Sequence, residues 1–94
     1  MDIKILEDVG WGYSKLAVVV DSALNKLGEK YELHIIGNPN LFSDYNIFNP
    51  PALIIDGNIL VEGYVPTLEE MIRMLNSVVS QWILYHILHL FFLQ

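Results

Sequence analysis

Two places in this 94-residue chain hold residues whose types and spacing could do chemistry. One is "GWGYS", Gly10 to Ser14, between an apolar run and a long amphipathic stretch. Gly10 and Gly12 permit a tight turn and close backbone approach. Trp11 offers an apolar wall, and Tyr13 and Ser14 offer hydroxyls. If a helix starts just after them, its free N–H groups and partial positive charge suit an anion or carboxylate. Glu7 and Asp8, just upstream, oppose an anion there. The second place is the pair His86 and His89, three residues apart. On a helix that spacing puts two imidazoles on one face, which can begin a metal site. No carboxylate or cysteine lies nearby in sequence to complete it, so a structural or interfacial pair is expected. His34 reads as a surface or edge-strand residue. No catalytic residue, cofactor or metal is expected.

Composition narrows the field. The chain has no cysteine, which removes disulfide frameworks, thiolate metal sites and thiol catalysis together. The net charge of −6 argues against nucleic acid as a partner, because phosphate contacts need Lys and Arg. The N-terminus "MDIKIL" carries an acid at position 2 and no long apolar run, so no secretory signal is expected and cytoplasm is the expected location. The length predicts one domain with a single small core.

The elements that must position these residues follow from periodicity. "DIKIL" alternates like a strand. From Tyr13 to Leu27, the residues Leu16, Val20, Ala23, Leu24 and Leu27 recur at helical spacing, and Gly28 suits the left-handed C-terminal position. "YELHII" is a second strand. Asn38-Pro39 suits the start of a short helix carrying Leu41, Tyr45 and Phe48. "PALII" is a strand too apolar to have a wet face, and "DGN" signals a hairpin into "ILVEG". Thr67 and Glu70 form a capping box that opens a helix with Leu68, Met71, Ile72 and Leu75 on its core face. The predicted order is βαβαββα, an α/β fold with a mixed sheet.

The last part is unusual. From Met74 to Gln94 there is no Asp, Glu, Lys or Arg. A spanning helix needs about 20 mostly apolar residues, and Asn76, Ser77, Ser80, Gln81 and both histidines make this a poor span. On a helical wheel Gln81, Tyr85, His86 and His89 cluster on one side. Ile83, Leu84, Ile87, Leu90 and Phe91 lie on the other. The expectation is an added apolar helix from about Val79 to Leu93. Its Ile83, Ile87, Leu90 and Phe91 would be buried against a second copy. Its own sheet, another protein or a membrane surface are the alternatives. The chain thus divides at 1–77 and 78–94.

Three segments, "ILEDVGWGYSKL", "NPPALIIDG" and "EGYVPTLEEMIRML", taken in order, resemble the thioredoxin fold. The likeness is closest to small glutaredoxin-like, redox-active disulfide proteins and covers about Met1 to Ser77. There, the first segment carries Gly-Thr-Gly-Cys-x-x-Cys and the second a cis-proline, which the resemblance places at Pro51. Counted from Leu6, the cysteines would fall on Gly10 and Tyr13; shifted by one, on Trp11 and Ser14. Neither alignment leaves a thiol, and disulfide exchange needs a thiolate. Pro50 replaces the family's usual Thr or Ser. The residue there pairs its backbone with an extended substrate in such domains, and proline has no N–H to donate.

The resemblance implies a ligand groove at Gly10, Trp11, Gly12, Tyr13, Ser14, Pro50, Pro51 and Tyr64. The expected function is a redox-inactive thioredoxin-like binding or interaction module, self-associating as a homodimer through its C-terminal helix. A protein partner is the natural class of ligand. The alternatives are a glutathione- or thiol-binding, transferase-like protein using Tyr13 or Ser14, and a membrane-surface adaptor.

Overall fold

The computed structural model describes residues 1–10 and 12–92, with Trp82, Phe91 and Phe92 described in backbone only. Strand β1 (Asp2–Leu6) leads through the Gly10–Ser14 loop into helix α1 (Lys15–Leu27). Strand β2 (Glu32–Ile36) and a 3-10 segment (Pro39–Tyr45) follow. Strands β3 (Ala52–Ile55) and β4 (Asn58–Glu62) form a hairpin, and helix α2 (Leu68–Phe92) completes the chain. The sheet order is β2-β1-β3-β4. β1 pairs with β2 in parallel and with β3 antiparallel, and β3 pairs with β4 antiparallel. This is the mixed α/β arrangement of a thioredoxin-like fold.

Alternation along β1 and β3 sends side chains to two faces. Ile3, Ile5, Leu53 and Ile55 point to one face, where Leu16, Val20 and Leu24 of α1 and Met71 and Leu75 of α2 cover them. Both helices therefore lie on the same side of the sheet. Leu6, Ala52 and Ile54 point to the other face and are covered by Phe42 and Ile47 from the 3-10 segment and the turn after it. All of β3 is buried, as its apolar run requires. The hairpin turn has Asp56 at φ 48° and Gly57 at φ 86°, the two positive angles a type I′ turn needs.

The 3-10 segment departs from expectation. Read as an α-helix, its anchors are Leu41, Tyr45 and Phe48. In the tighter helix Phe42 is the buried anchor, with Ile47 just beyond it and Tyr45 half-buried against both, while Leu41 and Phe48 face solvent. Asn46, in the left-handed conformation at φ 61°, stops the segment, and the amide of Ile47 bonds back to the carbonyl of Phe42. The capping residues set that register, and hydrophobic spacing alone does not reveal it.

α2 opens on the expected capping box: the Glu70 amide donates to Thr67 Oγ1 at 3.2 Å, and the Thr67 amide donates to Glu70 Oε1 at 3.4 Å. It then continues without interruption to Phe92. The apolar C-terminal helix is the outer half of α2. No break in the chain path marks the expected division at 77/78, since one helix runs through it. Val78 still packs on the core, and every side chain described from Ser80 to Leu90 is exposed. The overshooting helix gives the molecule its long dimension, 51 × 28 × 19 Å.

Candidate functional site

β1 and α1 meet at the Gly10–Ser14 loop. The loop is tied by the Gly12 amide to the Val9 carbonyl at 2.8 Å and by the Gly10 amide to Asp8 Oδ1 at 3.1 Å. Gly12 has φ 94°, which side chains rarely adopt. Ser14 is the N-cap of α1, and its Oγ accepts the Ala17 amide at 2.9 Å. The same hydroxyl donates to Glu7 Oε1 at 2.5 Å, and that oxygen also accepts the Leu16 amide at 3.1 Å. The N-terminus of α1, which the sequence reading offers to a ligand anion, is thus occupied by the chain's own carboxylate. Ser14 is buried and its hydroxyl is turned inward, so it does not face a groove as a donor.

Tyr13 has the opposite disposition. It is 59% exposed and lines a shallow pocket of about 340 Å³ with Glu7, Asp8 and Lys15. Two carboxylates against one ammonium make this pocket a poor seat for a negatively charged ligand. Gly10 and Gly12 are exposed beside it. Trp11 lies outside the described residues.

The other residues expected in the groove lie at the entry to β3, the antiparallel neighbour of β1. Leu6 pairs with Ala52, so the chain leaves β1 toward Gly10 and enters β3 from Pro51 at the same end of the sheet. The Pro50–Pro51 bond is cis. Pro50 is exposed and Pro51 half-buried. The Gly63 amide donates to the Pro51 carbonyl at 2.8 Å, which brings the loop bearing the exposed Tyr64 alongside. Glu62 Oε2 accepts the amides of Phe48 at 3.0 Å and Asn49 at 2.9 Å. These bonds, from Asn49 first and then Phe48, hold the Glu62 carboxyl below the ordinary carboxylate range. Glu62 therefore fixes the approach to Pro50–Pro51 as Glu7 fixes the approach to α1. Neither glutamate stands out in the sequence, since each acts on backbone many residues away. Each does directly follow or end an apolar strand at this edge.

At the opposite end of the sheet, the parallel register sets Asp2 beside Glu32 and Lys4 beside His34. His34 Nε2 lies 3.7 Å from Asp2 Oδ1 and 3.8 Å from Glu32 Oε2, while Lys4 Nζ holds Asp2 Oδ2 at 2.7 Å. Of these possible ligands Glu32 and His34 are exposed and Asp2 is half-buried, and the lysine already neutralises Asp2. His34 is an exposed edge-strand residue, but one with acidic neighbours that spacing along one strand does not reveal. On α2, Tyr85 stacks on His89 with ring centres 5.8 Å apart and meets His86 edge-on at 5.7 Å. Ile83, Ile87 and Leu90 are exposed on the outer half of that helix. The side chain of Phe91 lies outside the described residues.

Residues 1–76 match the thioredoxin domain family. The chain belongs to that family. No match was found among curated proteins. In this thioredoxin domain, the loop before α1 carries glycine, tyrosine and serine with no thiol, and its helix N-terminus holds a glutamate. The matched region stops short of the outer half of α2, which is an addition to what the family describes.

Proposed function

We propose that this thioredoxin domain is redox-inactive and works by binding, as a homodimer joined through the outer half of α2. The observation that carries the first part is the Glu7 carboxylate on Ser14 Oγ and the Leu16 amide. A thiolate gains from the partial charge of a helix N-terminus; here that position is filled by a fixed anion, and the sequence offers no thiol to replace it. The binding surface is the edge formed by Tyr13, Pro50, Pro51 and Tyr64, with the exposed Phe48 beside them. Its acidic frame, Glu7, Asp8 and Glu62, favours an apolar or cationic protein segment over an anionic ligand. An insulin-disulfide reduction assay with dithiothreitol tests the redox part. The expected rate equals the reagent blank, and catalysis above it contradicts the proposal.

The glutathione-binding alternative now depends on Tyr13, because the Ser14 hydroxyl is engaged with Glu7 and the Ala17 amide. Titration with millimolar glutathione, followed by the fluorescence of Trp11 and Trp82, separates the two readings. A saturable response supports the alternative, and a flat one supports a protein ligand.

A further inference from the structure

We propose that the rim formed by Phe48 to Pro50 and Glu62 to Tyr64 binds a protein partner through an arginine side chain, held by backbone carbonyls, a carboxylate and aromatic rings, and not by pairing with the partner's backbone. The inference narrows the binding role proposed above and rests on it.

The backbone limits what this rim can offer. Phe48 and Asn49 have amides, and Glu62 Oε2 accepts both, at 3.0 Å and 2.9 Å. Pro50 and Pro51 have no N–H at all. From Phe48 to Pro51 the chain therefore has no backbone donor left for a ligand. A strand laid along it would need both donors and acceptors in the edge it joins. Acceptors do remain. The Pro51 carbonyl takes the Gly63 amide at 2.8 Å, but the carbonyls of Phe48, Asn49 and Pro50 accept no hydrogen bond among the described residues. All three of these residues are exposed. Whatever covers them must bring donors, because a carbonyl covered without one is costly.

Glu62 sets the charge of those donors. It is half-buried, and the two amides that bind Oε2 hold its carboxyl below the ordinary carboxylate range. Its other oxygen, Oε1, has no partner, and no Lys, Arg or His pairs with it, among the described residues. A fixed anion beside open carbonyls repels an anionic segment and is left unpaired by an apolar one. A cation that carries several N–H groups satisfies both.

The rings select among cations. Phe48 is 74% exposed and Tyr64 is 51% exposed. A Cβ at Gly63 would lie 3.8 Å from the Asn49 carbonyl, so the segment leading to Tyr64 runs beside the one that carries Phe48. Aromatic faces attract cations, guanidinium more often than ammonium. Arginine has five N–H donors in a planar fork that also stacks on rings, whereas lysine has three donors on a compact, strongly hydrated head.

Four blocked pentapeptides test this, each with two alanines on either side of a central arginine, citrulline, lysine or leucine. They are titrated into the isotope-labelled full-length protein, and the amide shifts of Phe48, Asn49, Gly63 and Tyr64 are followed. The arginine peptide should give saturable shifts there that weaken with added salt. Its affinity should exceed that of the uncharged citrulline peptide at least about fivefold, and the lysine and leucine peptides should also bind more weakly. Phe48→Ala and Tyr64→Ala, at two exposed positions, should each weaken the arginine peptide about two- to fivefold. Citrulline or leucine binding as tightly as arginine would remove the cation and overturn the inference, and lysine binding as tightly would overturn the choice of arginine. No binding of any peptide, shifts confined to Gly10, Gly12 and Tyr13, or full affinity in both variants would also overturn it. Catalysis in the insulin assay would instead overturn the redox-inactive binding role beneath it.

Discussion

Ser14 and Glu7 carry the clearest consequence of single residues. One hydroxyl caps α1 and donates a hydrogen bond to a carboxylate that also accepts one from the Leu16 amide. Replacing an N-cap serine by alanine costs about 0.5–2 kcal/mol, and Ser14→Ala should fall in the upper part of that range because Glu7 loses a donor as well. Urea denaturation measures it; an unchanged midpoint would mean that the cap contributes nothing. Glu62 makes a pH prediction. Its folded carboxyl is held below the ordinary value of 4.5 by the Asn49 and Phe48 amides. The unfolded chain thus binds the proton more readily, so this stabilisation is complete above the ordinary value and is lost as pH falls through the lowered one. Glu62→Gln should be less stable than the native chain at pH 7, and the gap should shrink at pH 3. A gap that is constant with pH would remove the carboxylate from the account.

At the scale of elements, the strands, the start of α2 and the hairpin follow from periodicity and caps, because local rules and burial agree there. What the sequence hides is where distant pieces meet. The 3-10 segment anchors through Phe42 and Ile47 because its turn is tighter than 3.6 residues. Glu7 looks like a charge that repels ligands from the α1 start; folded, it is the ligand of that start. The Asp2, Glu32 and His34 neighbours exist only through the parallel register of β1 and β2. Gly37 is another such meeting point. A Cβ there would overlap Val9 Cγ2, so the turn after β2 and the loop before α1 approach closely because residue 37 has no side chain. Gly37→Ala should displace the loop and cost about 1–3 kcal/mol, the usual range for overpacking. Amide chemical shifts of Gly10 and Gly12 would report the displacement; unmoved shifts with unchanged stability would contradict it.

For the whole molecule, the thioredoxin domain and the outer half of α2 have different needs. The domain buries its own core against two helices and a 3-10 segment. The outer helix leaves several large apolar side chains about half in water, each forgoing about half of the roughly 1.5–3 kcal/mol that full burial gives. The proposed second copy would meet that need and make a small domain with one candidate binding edge bivalent. Leu90→Asp should abolish pairing, because an unpaired charge in a dry contact is costly, while leaving the melting of the domain core intact, since among the described residues that turn adds nothing to the core. Light scattering on the full-length protein is the most direct measurement. The account predicts twice the chain mass of 10.8 kDa for the native protein and one chain mass for Leu90→Asp. A native protein of single-chain mass, or a Leu90→Asp protein that remains a soluble dimer, would contradict it.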